Sequence, residues 1–476
     1  RGKGGRVFIF QTNRPTFGPG LLDDRNYSKL LNTENERKLY SYQSNYYHKW
    51  GEKYVDEGIC ASMYLFPNAF ADVASSSELC KLTGGEVMVY PNFTMDRDGA
   101  KFAADLEASA TQTFGTNGVL RIRCSDGIRV DQHLGNFFMR NHVDIELAGI
   151  MSSTSICATF KHDEKLDEKL DAYFQVALLY TTSDGHRRIR VHNIALPCTT
   201  LVGNLFRHAE IDTTMNIIAR QAMSQAKGLA LKEMRKELSE ECVRILLAYR
   251  TNCASGSSPS QLILPEAYKL MPLYTLSLLK SMALRESTDV NIDLRVQCMY
   301  MLSSMSVEDS VTYFYPRIVP LHDVKSDEGV ADEEGIAKLP AMVRASYSRL
   351  DPSGVYAIES RKRLYIWVGA KASAALIGDL FGTASVNEVD PQMAMLPEHS
   401  TDINAKAQAI LRTLQHPRRT KPVITLARQG LDRAEGQIAS LLVEDQNNSG
   451  LSYSDYLCFA HRQIQNEVRG SVVWAA

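Results

Sequence analysis

Tyr173-Phe-Gln-Val-Ala-Leu-Leu-Tyr-Thr-Thr182-Ser-Asp-Gly-His186-Arg-Arg-Ile-Arg-Val-His192-Asn-Ile-Ala-Leu196 holds two apolar-rich runs, Tyr173–Thr182 and Arg187–Leu196, on either side of Ser183-Asp184-Gly185. Runs of this kind around a turn whose glycine can take positive φ are a β-hairpin signal, and they predict an antiparallel sheet. On the second run alternate residues face one way, so Arg188, Arg190 and His192 are expected to project together while Ile189 and Val191 face the core. Two guanidiniums side by side on a rigid strand suit bidentate capture of carboxylates, the chemistry an acidic peptide signal requires. The same residues also fit an exposed edge strand kept soluble by its charges. His186 and His192 flank this basic run, but no third ligand stands at a spacing that makes a metal site.

The strand pattern extends outward from the hairpin. From Val119 onward, apolar runs alternate with turns, as at Ser125-Asp126-Gly127, and the charged run His162–Asp171 reads as a solvated edge or loop. Before it, short apolar runs at Val7–Phe10, Ala61–Phe66 and Glu86–Tyr90 bracket helical segments, a βαβ rhythm that predicts a mostly parallel sheet. The capping box Thr33-x-x-Glu36 opens a predicted helix that runs through Leu39, Tyr42, Tyr46, Trp50 and Tyr54 and stops at Gly58. A second helix is expected over Asp98–Phe114, with Phe102, Leu106 and Ala110 on one stripe.

After the hairpin, Leu201–Met305 reads as helical, with a stripe Leu231, Met234, Leu238, Cys242, Ile245 and Tyr249. Asn252–Pro259 is a predicted loop, and Pro265 and Pro272 are expected to break the pattern that follows. Lys325–Gly335 carries five carboxylates and one Lys without apolar period, so a mobile acidic linker is expected there. A final α/β unit is predicted from strands at Gly354–Glu359, Arg363–Val368 and Val423–Leu426. Its helices fall at Lys371–Phe381, Leu431–Val443 and Ser452–Val468.

Composition narrows the function classes. At 476 residues the chain is long enough for three or four domains. Its 53 Lys+Arg and 55 Asp+Glu give a formal net charge of −2, so attraction to an acidic partner has to come from local clusters. The nine cysteines, at 60, 80, 124, 157, 198, 242, 253, 298 and 458, contain no close metal-binding pair, and an odd scattered set argues for reduced thiols. Neither a bilayer-spanning apolar run nor a signal peptide is expected. G-x-x-x-x-G-K-[ST], G-x-G-x-x-G, H-E-x-x-H and G-x-S-x-G are absent, so no phosphate cradle, zinc-protease pair or nucleophile elbow supports an enzyme. Asp96-x-Asp98 fails as a calcium loop because Lys101 stands where the sharp turn needs glycine. A basic strand without interleaved aromatics gives no nucleic-acid signature.

Several ordered stretches carry a resemblance. Leu120-Arg-Ile-Arg-Cys-Ser-Asp-Gly-Ile-Arg129, Gly135-Asn-Phe-Phe-Met139, Ala177-Leu-Leu-Tyr-Thr-Thr182 and Arg187-Arg-Ile-Arg-Val-His-Asn193 resemble the β-sandwich of the COPII cargo-adaptor family. The likeness continues through Tyr249-Arg-Thr-Asn-Cys-Ala-Ser255, Gln261-Leu-Ile-Leu-Pro-Glu266 and Tyr313-Phe-Tyr-Pro-Arg317. It ends in a gelsolin-like module marked by Leu364-Tyr-Ile-Trp-Val-Gly369 and Leu442-Val-Glu-Asp445. Asp144-x-Glu-Leu-Ala-Gly149 with Phe160-Lys-His-Asp163 is similar to the C/D paralogue branch.

The resemblance implies a multidomain α+β chain. Residues 1–115 would be the C-terminal half of a von Willebrand A-like trunk, 116–200 an antiparallel β-sandwich and 201–322 an all-α helical domain with a Pro/Tyr-rich end. An acidic linker, 323–338, and a gelsolin-like α/β domain, 339–476, would follow. It also implies a non-enzymatic coat adaptor of endoplasmic reticulum to Golgi transport. Such a subunit pairs with a second inner-coat COPII subunit and reads cytosolic tails of cargo receptors and SNAREs. It is cytoplasmic and lies peripherally on the membrane at endoplasmic reticulum exit sites and on COPII vesicles. Cargo-signal binding maps onto Arg188 and Arg190. No catalytic residue, metal ligand, cofactor or nucleic-acid partner is expected, and the family's four-cysteine zinc module and first trunk half are expected to lie outside this sequence. A gelsolin-type actin or calcium binder is the alternative, resting on the C-terminal module alone.

Overall fold

The computed structural model describes residues 4–258, 260–287, 290–361, 363–415 and 423–470. These described residues fall into two compact units, one within the ranges 4–93, 112–307 and 458–470, the other within 94–111 and 308–457.

The first unit opens with three parallel strands, β1 (Gly5–Gln11), β2 (Ile59–Leu65) and β3 (Val87–Val89), in that spatial order. β2 lies between the other two and buries its last six residues, as a central parallel strand must. The helix expected from Thr33 to Gly58 is split. Thr33 caps a 3₁₀ segment, Glu34–Tyr40, and Ser44 opens a separate α-helix, Asn45–Glu57. Gly58 ends that helix at φ 68°, the left-handed conformation glycine takes without steric cost. The split follows from where Glu36 goes. Its carboxylate accepts from the Asn32 N–H at 2.8 Å and from the Tyr40 hydroxyl at 2.7 Å, and faces Arg295 Nε at 3.2 Å. A residue read as half of a capping box is instead half of a buried ion pair.

Six strands follow: β4 (Phe114–Cys124), β5 (Ile128–Leu134), β6 (Asp144–Met151), β7 (Cys157–His162), β8 (Asp171–Thr182) and β9 (Arg187–Pro197). They form an antiparallel sheet ordered β6-β4-β8-β9 and a two-stranded sheet, β5-β7. Leu120, Ile145 and Leu147 make the core, joined by Ile122, Val176 and Leu178. Phe160 of β7 meets Phe174 of β8 edge-on at 4.8 Å, tying the two sheets together.

Four longer helices, Ile211–Gln225, Leu231–Asn252, Met271–Lys280 and Ile292–Leu302, complete this unit. On Leu231–Asn252 the buried residues are Met234, Leu238, Cys242, Val243, Leu246 and Arg250. The expected stripe therefore slips by one residue after Cys242, leaving Ile245 and Tyr249 half-exposed. At the end of this shifted stripe the Arg250 guanidinium turns inward to the carbonyls of Ala254 and Ser257 and closes the loop after the helix. Of the predicted loop Asn252–Pro259, Pro259 lies outside the described residues. Pro272 opens a helix instead of breaking one, as the second residue of Met271–Lys280, where its missing N–H costs nothing. Helix Ile292–Leu302 is anchored on the parallel-sheet segment, since Asp293 accepts the Ala71 and Val73 N–H groups at 2.7 and 3.0 Å. Tyr300 also donates to Gly85 O at 2.6 Å.

The second unit is built on β10 (Arg317–Pro320), β11 (Val355–Ser360), β12 (Arg363–Val368) and β13 (Ile424–Arg428), ordered as numbered. β12 and β13 are parallel and the other pairs antiparallel. Leu364, Ile366 and Val368 face one apolar layer, Tyr365 and Trp367 the other, the alternation of a strand covered on both faces. Two expectations are corrected here. β10 arises within the stretch read as the end of the helical segment and pairs with β11. The acidic run is held in place. Gly329 N–H bonds Lys338 O at 2.8 Å, Ala337 N–H bonds Thr413 Oγ1 at 2.8 Å, and the buried Glu328 carboxylate accepts the Lys325 N–H at 3.0 Å. The carboxylates of Glu328 and Asp332 act as local turn acceptors, which charge counting does not reveal.

Helix Met95–Thr111, starting and ending about three residues before its expected bounds, groups with this second unit. Gly369 shows how tight the sheet end is, because a Cβ there would lie 2.0 Å from Pro352 O. Gly369→Ala is expected to destabilise the second unit by about 3 kcal/mol, since backbone cannot yield as a side chain can. Denaturant unfolding checks it, and a loss under about 0.5 kcal/mol, the range of neutral surface changes, would reject this account.

Candidate functional site

Cross-strand partners share a face of the sheet, so the register decides what β9 presents. Leu178 and Val176 face the sandwich core, and opposite them on β9 stand Arg190 and His192. Arg188 lies opposite Tyr180, Ile194 opposite Phe174 and Leu196 opposite Ala172. Arg188, Arg190 and His192 therefore do share one face, but it is the core-side face of the sheet. Ile189 and Val191, opposite Leu179 and Ala177, lie on the outer face and are 69% and 49% exposed, so the expectation that they point inward is reversed. The Ser183-Asp184-Gly185 turn pairs Thr182 with His186 and so sets this register. Because β9 is at the sheet edge and exposed along its whole length, even its core-side residues meet solvent.

Neighbouring arginines are engaged. Arg121 forks onto Asp144 at 2.7 and 2.6 Å, and the Arg121 hydrogen bond holds the Asp144 carboxyl below its usual range. Arg129 meets Asp163 at 2.5 Å, and Arg187 donates to Asn117 O at 2.6 Å and Thr181 Oγ1 at 2.9 Å. Arg188 and Arg190 are exposed and have no hydrogen bond or ion pair among the described residues. Two residues apart on one face, their Cα atoms are roughly 6.5–7 Å apart, close enough to serve one acidic segment.

The same face continues into Ile194 and Leu196, 54% and 50% exposed, beside the Phe160–Phe174 pair. These apolar members were not picked out from the sequence, although carrying the two-residue step on from Arg190 reaches both. The surface is thus bipartite, cationic near the turn and apolar toward Pro197. Among the described residues no three His, Cys, Asp or Glu side chains are placed to hold a metal ion, and no helix is long and apolar enough to cross a membrane. All nine cysteines are free.

Comparison with known proteins gives a consistent order of matches. The Sec23/Sec24 trunk domain matches residues 1–110, the Sec23/Sec24 beta-sandwich domain 115–199, the Sec23/Sec24 helical domain 210–312 and the gelsolin repeat 336–411. Human protein transport protein Sec24C is 36% identical over 97% of this chain, and human Sec24D is 34% identical over 97%. The SEC24 B protein of Arabidopsis thaliana is 33% identical over 98%. This chain spans 42%, 44% and 42% of those three proteins respectively, less than half of each. The crystal structure of the human COPII-coat protein Sec24c superposes with a TM-score of 0.88 at 35% identity, covering 98% of this chain and 59% of that one. The gelsolin repeat falls inside the stretch shared with these relatives, so it is part of their architecture and gives no separate case for actin or calcium binding. With three successive domain models of one family over residues 1–312, and similarity to Sec24C and Sec24D along nearly the whole chain, this protein belongs to the Sec23/Sec24 family.

Proposed function

We propose that this chain is part of a COPII coat adaptor that recognises sorting signals on the cytosolic tails of cargo receptors and SNAREs, with Arg188 and Arg190 reading the acidic part of the signal. The observation that carries this reading is the pair of unengaged guanidiniums on an exposed strand, within a chain similar to Sec24C throughout. The protein acts by binding, without catalysis or a cofactor of its own. It works beside a second inner-coat subunit, on the cytosolic surface of the membrane at endoplasmic reticulum exit sites.

A fluorescence anisotropy titration with acidic-apolar peptides tests the site. Micromolar affinity that weakens with salt is expected, as for small transient contacts between charged groups. Arg188→Ala with Arg190→Ala should weaken binding about tenfold or more, the scale of two charge-assisted contacts. Equal affinity of the double variant and the parent chain would remove these two residues from the site.

A further inference from the structure

β9 offers a second set of recognition groups besides its side chains. Thr182 N–H donates to His186 O at 2.9 Å, which makes 182 and 186 a hydrogen-bonded pair. Such pairs recur every second residue in an antiparallel ladder. Counting along the unbroken β8–β9 register, residues 188, 190, 192 and 194 turn their N–H and C=O groups toward β8. Arg187, Ile189, Val191, Asn193 and Ala195 turn theirs toward the open side, where β9 has no strand partner among the described residues. The backbone groups of Ile189, Val191 and Asn193 that face outward and the guanidiniums of Arg188 and Arg190 are thus on alternate residues of the same strand.

This edge lacks the usual structural guards against pairing. β9 is eleven residues long, its pairing with β8 shows no bulge, and proline appears only at its end, Pro197. Arginines can guard an edge by charge, but a guarded edge has no need of Ile189, Val191, Ile194 and Leu196, all about half exposed or more.

Resting on the carboxylate-reading role of Arg188 and Arg190, we propose that β9 takes its ligand by strand addition: an extended acidic-apolar peptide becomes the next strand of the β6-β4-β8-β9 sheet. Side chains opposite one another share a face, so the register sets the pattern of that peptide. Carboxylates at two alternate positions stand opposite Arg188 and Arg190, and apolar side chains at two further alternate positions stand opposite Ile194 and Leu196, over about nine residues. In an antiparallel addition the residues between them bond the outward groups of Ile189, Val191 and Asn193, and in a parallel one the residues opposite Arg188, Arg190 and His192 do so. Charge selects the ligand and the backbone ladder holds it extended.

The test uses the full chain and three synthetic peptides of this pattern in the anisotropy assay. One is unmodified, and the other two are N-methylated at opposite alternate sets of amides, so that only one modified peptide loses the N–H groups facing β9. Strand addition predicts about tenfold or greater weakening for one methylated peptide and little change for the other, the scale of two or three lost backbone bonds. Arg188/Arg190-dependent binding that is indifferent to both methylation sets overturns strand addition and leaves the cargo-signal reading intact. Absence of binding by the unmodified peptide overturns both.

Discussion

Arg220→Ala is expected to lower the stability of the first unit by about 3–5 kcal/mol, the scale of several buried acceptors losing their donor together. Arg220, on helix Ile211–Gln225, is 1% exposed, and burial pulls its pKa below the ordinary guanidinium value. None of its partners among the described residues is a carboxylate. It donates to Leu134 O and Ser155 O at 3.1 Å, to Ser155 Oγ and Met305 O at 2.6 Å, and to Asn216 Oδ1 at 2.9 Å. One planar fork therefore joins the end of β5, the turn before β7 and the end of the helical segment. Its removal strands several carbonyls at once, each costing about 1–3 kcal/mol if water cannot reach it. Arg220→Lys keeps the charge but cannot span these acceptors, so it should fall nearer to alanine than to the parent. Denaturant unfolding gives the size of the loss, and hydrogen exchange at β5 and helix Ile211–Gln225 gives its place. A loss under about 1 kcal/mol would show that water replaces the arginine and would reject its role as a joint.

The second large effect is expected at the ion pair between Arg295 and Glu36, 1% and 4% exposed. Arg295 also donates to Ala283 O and Arg285 O at 3.2 and 3.1 Å. Burial, and then Glu36, push the Tyr40 hydroxyl far above its usual pKa, so it remains a donor to that carboxylate. Arg295→Ala leaves the Glu36 charge buried without its partner and should cost about 3–5 kcal/mol. Glu36→Leu combined with Arg295→Met removes both charges and should cost at least about 1 kcal/mol less than the single change. The comparison is made by denaturant unfolding of the two variants beside the parent. A double variant as unstable as the single one would mean that packing, not the stranded charge, sets the loss.

Much of the architecture was legible from local pattern. The apolar alternation around Ser183-Asp184-Gly185 announced the β8–β9 hairpin, and the early βαβ rhythm announced a parallel sheet. The pairing of Val355–Ser360 with Arg363–Val368 was visible in the same way. Period and turn chemistry are properties of neighbouring residues, so a sequence records them directly. The candidate site was half legible: Arg188 and Arg190 stood out, while Ile194 and Leu196 did not, because on this strand each face mixes charged or polar with apolar residues.

By itself, the sequence determined the succession of an α/β segment, an antiparallel β segment, a helical segment and a final α/β segment, the hairpin turn and the family to which the chain belongs. Only the tertiary structure decided which face of β9 lies on the core side, where the helix after Thr33 breaks, and which arginines are buried as joints. Those outcomes depend on partners far apart in the chain, Glu36 with Arg295 and Arg220 with Leu134 and Met305, whose meeting no local period encodes. A strand's alternation shows that it has two faces. Which face is covered is set by the neighbouring strand and by where the second sheet ends.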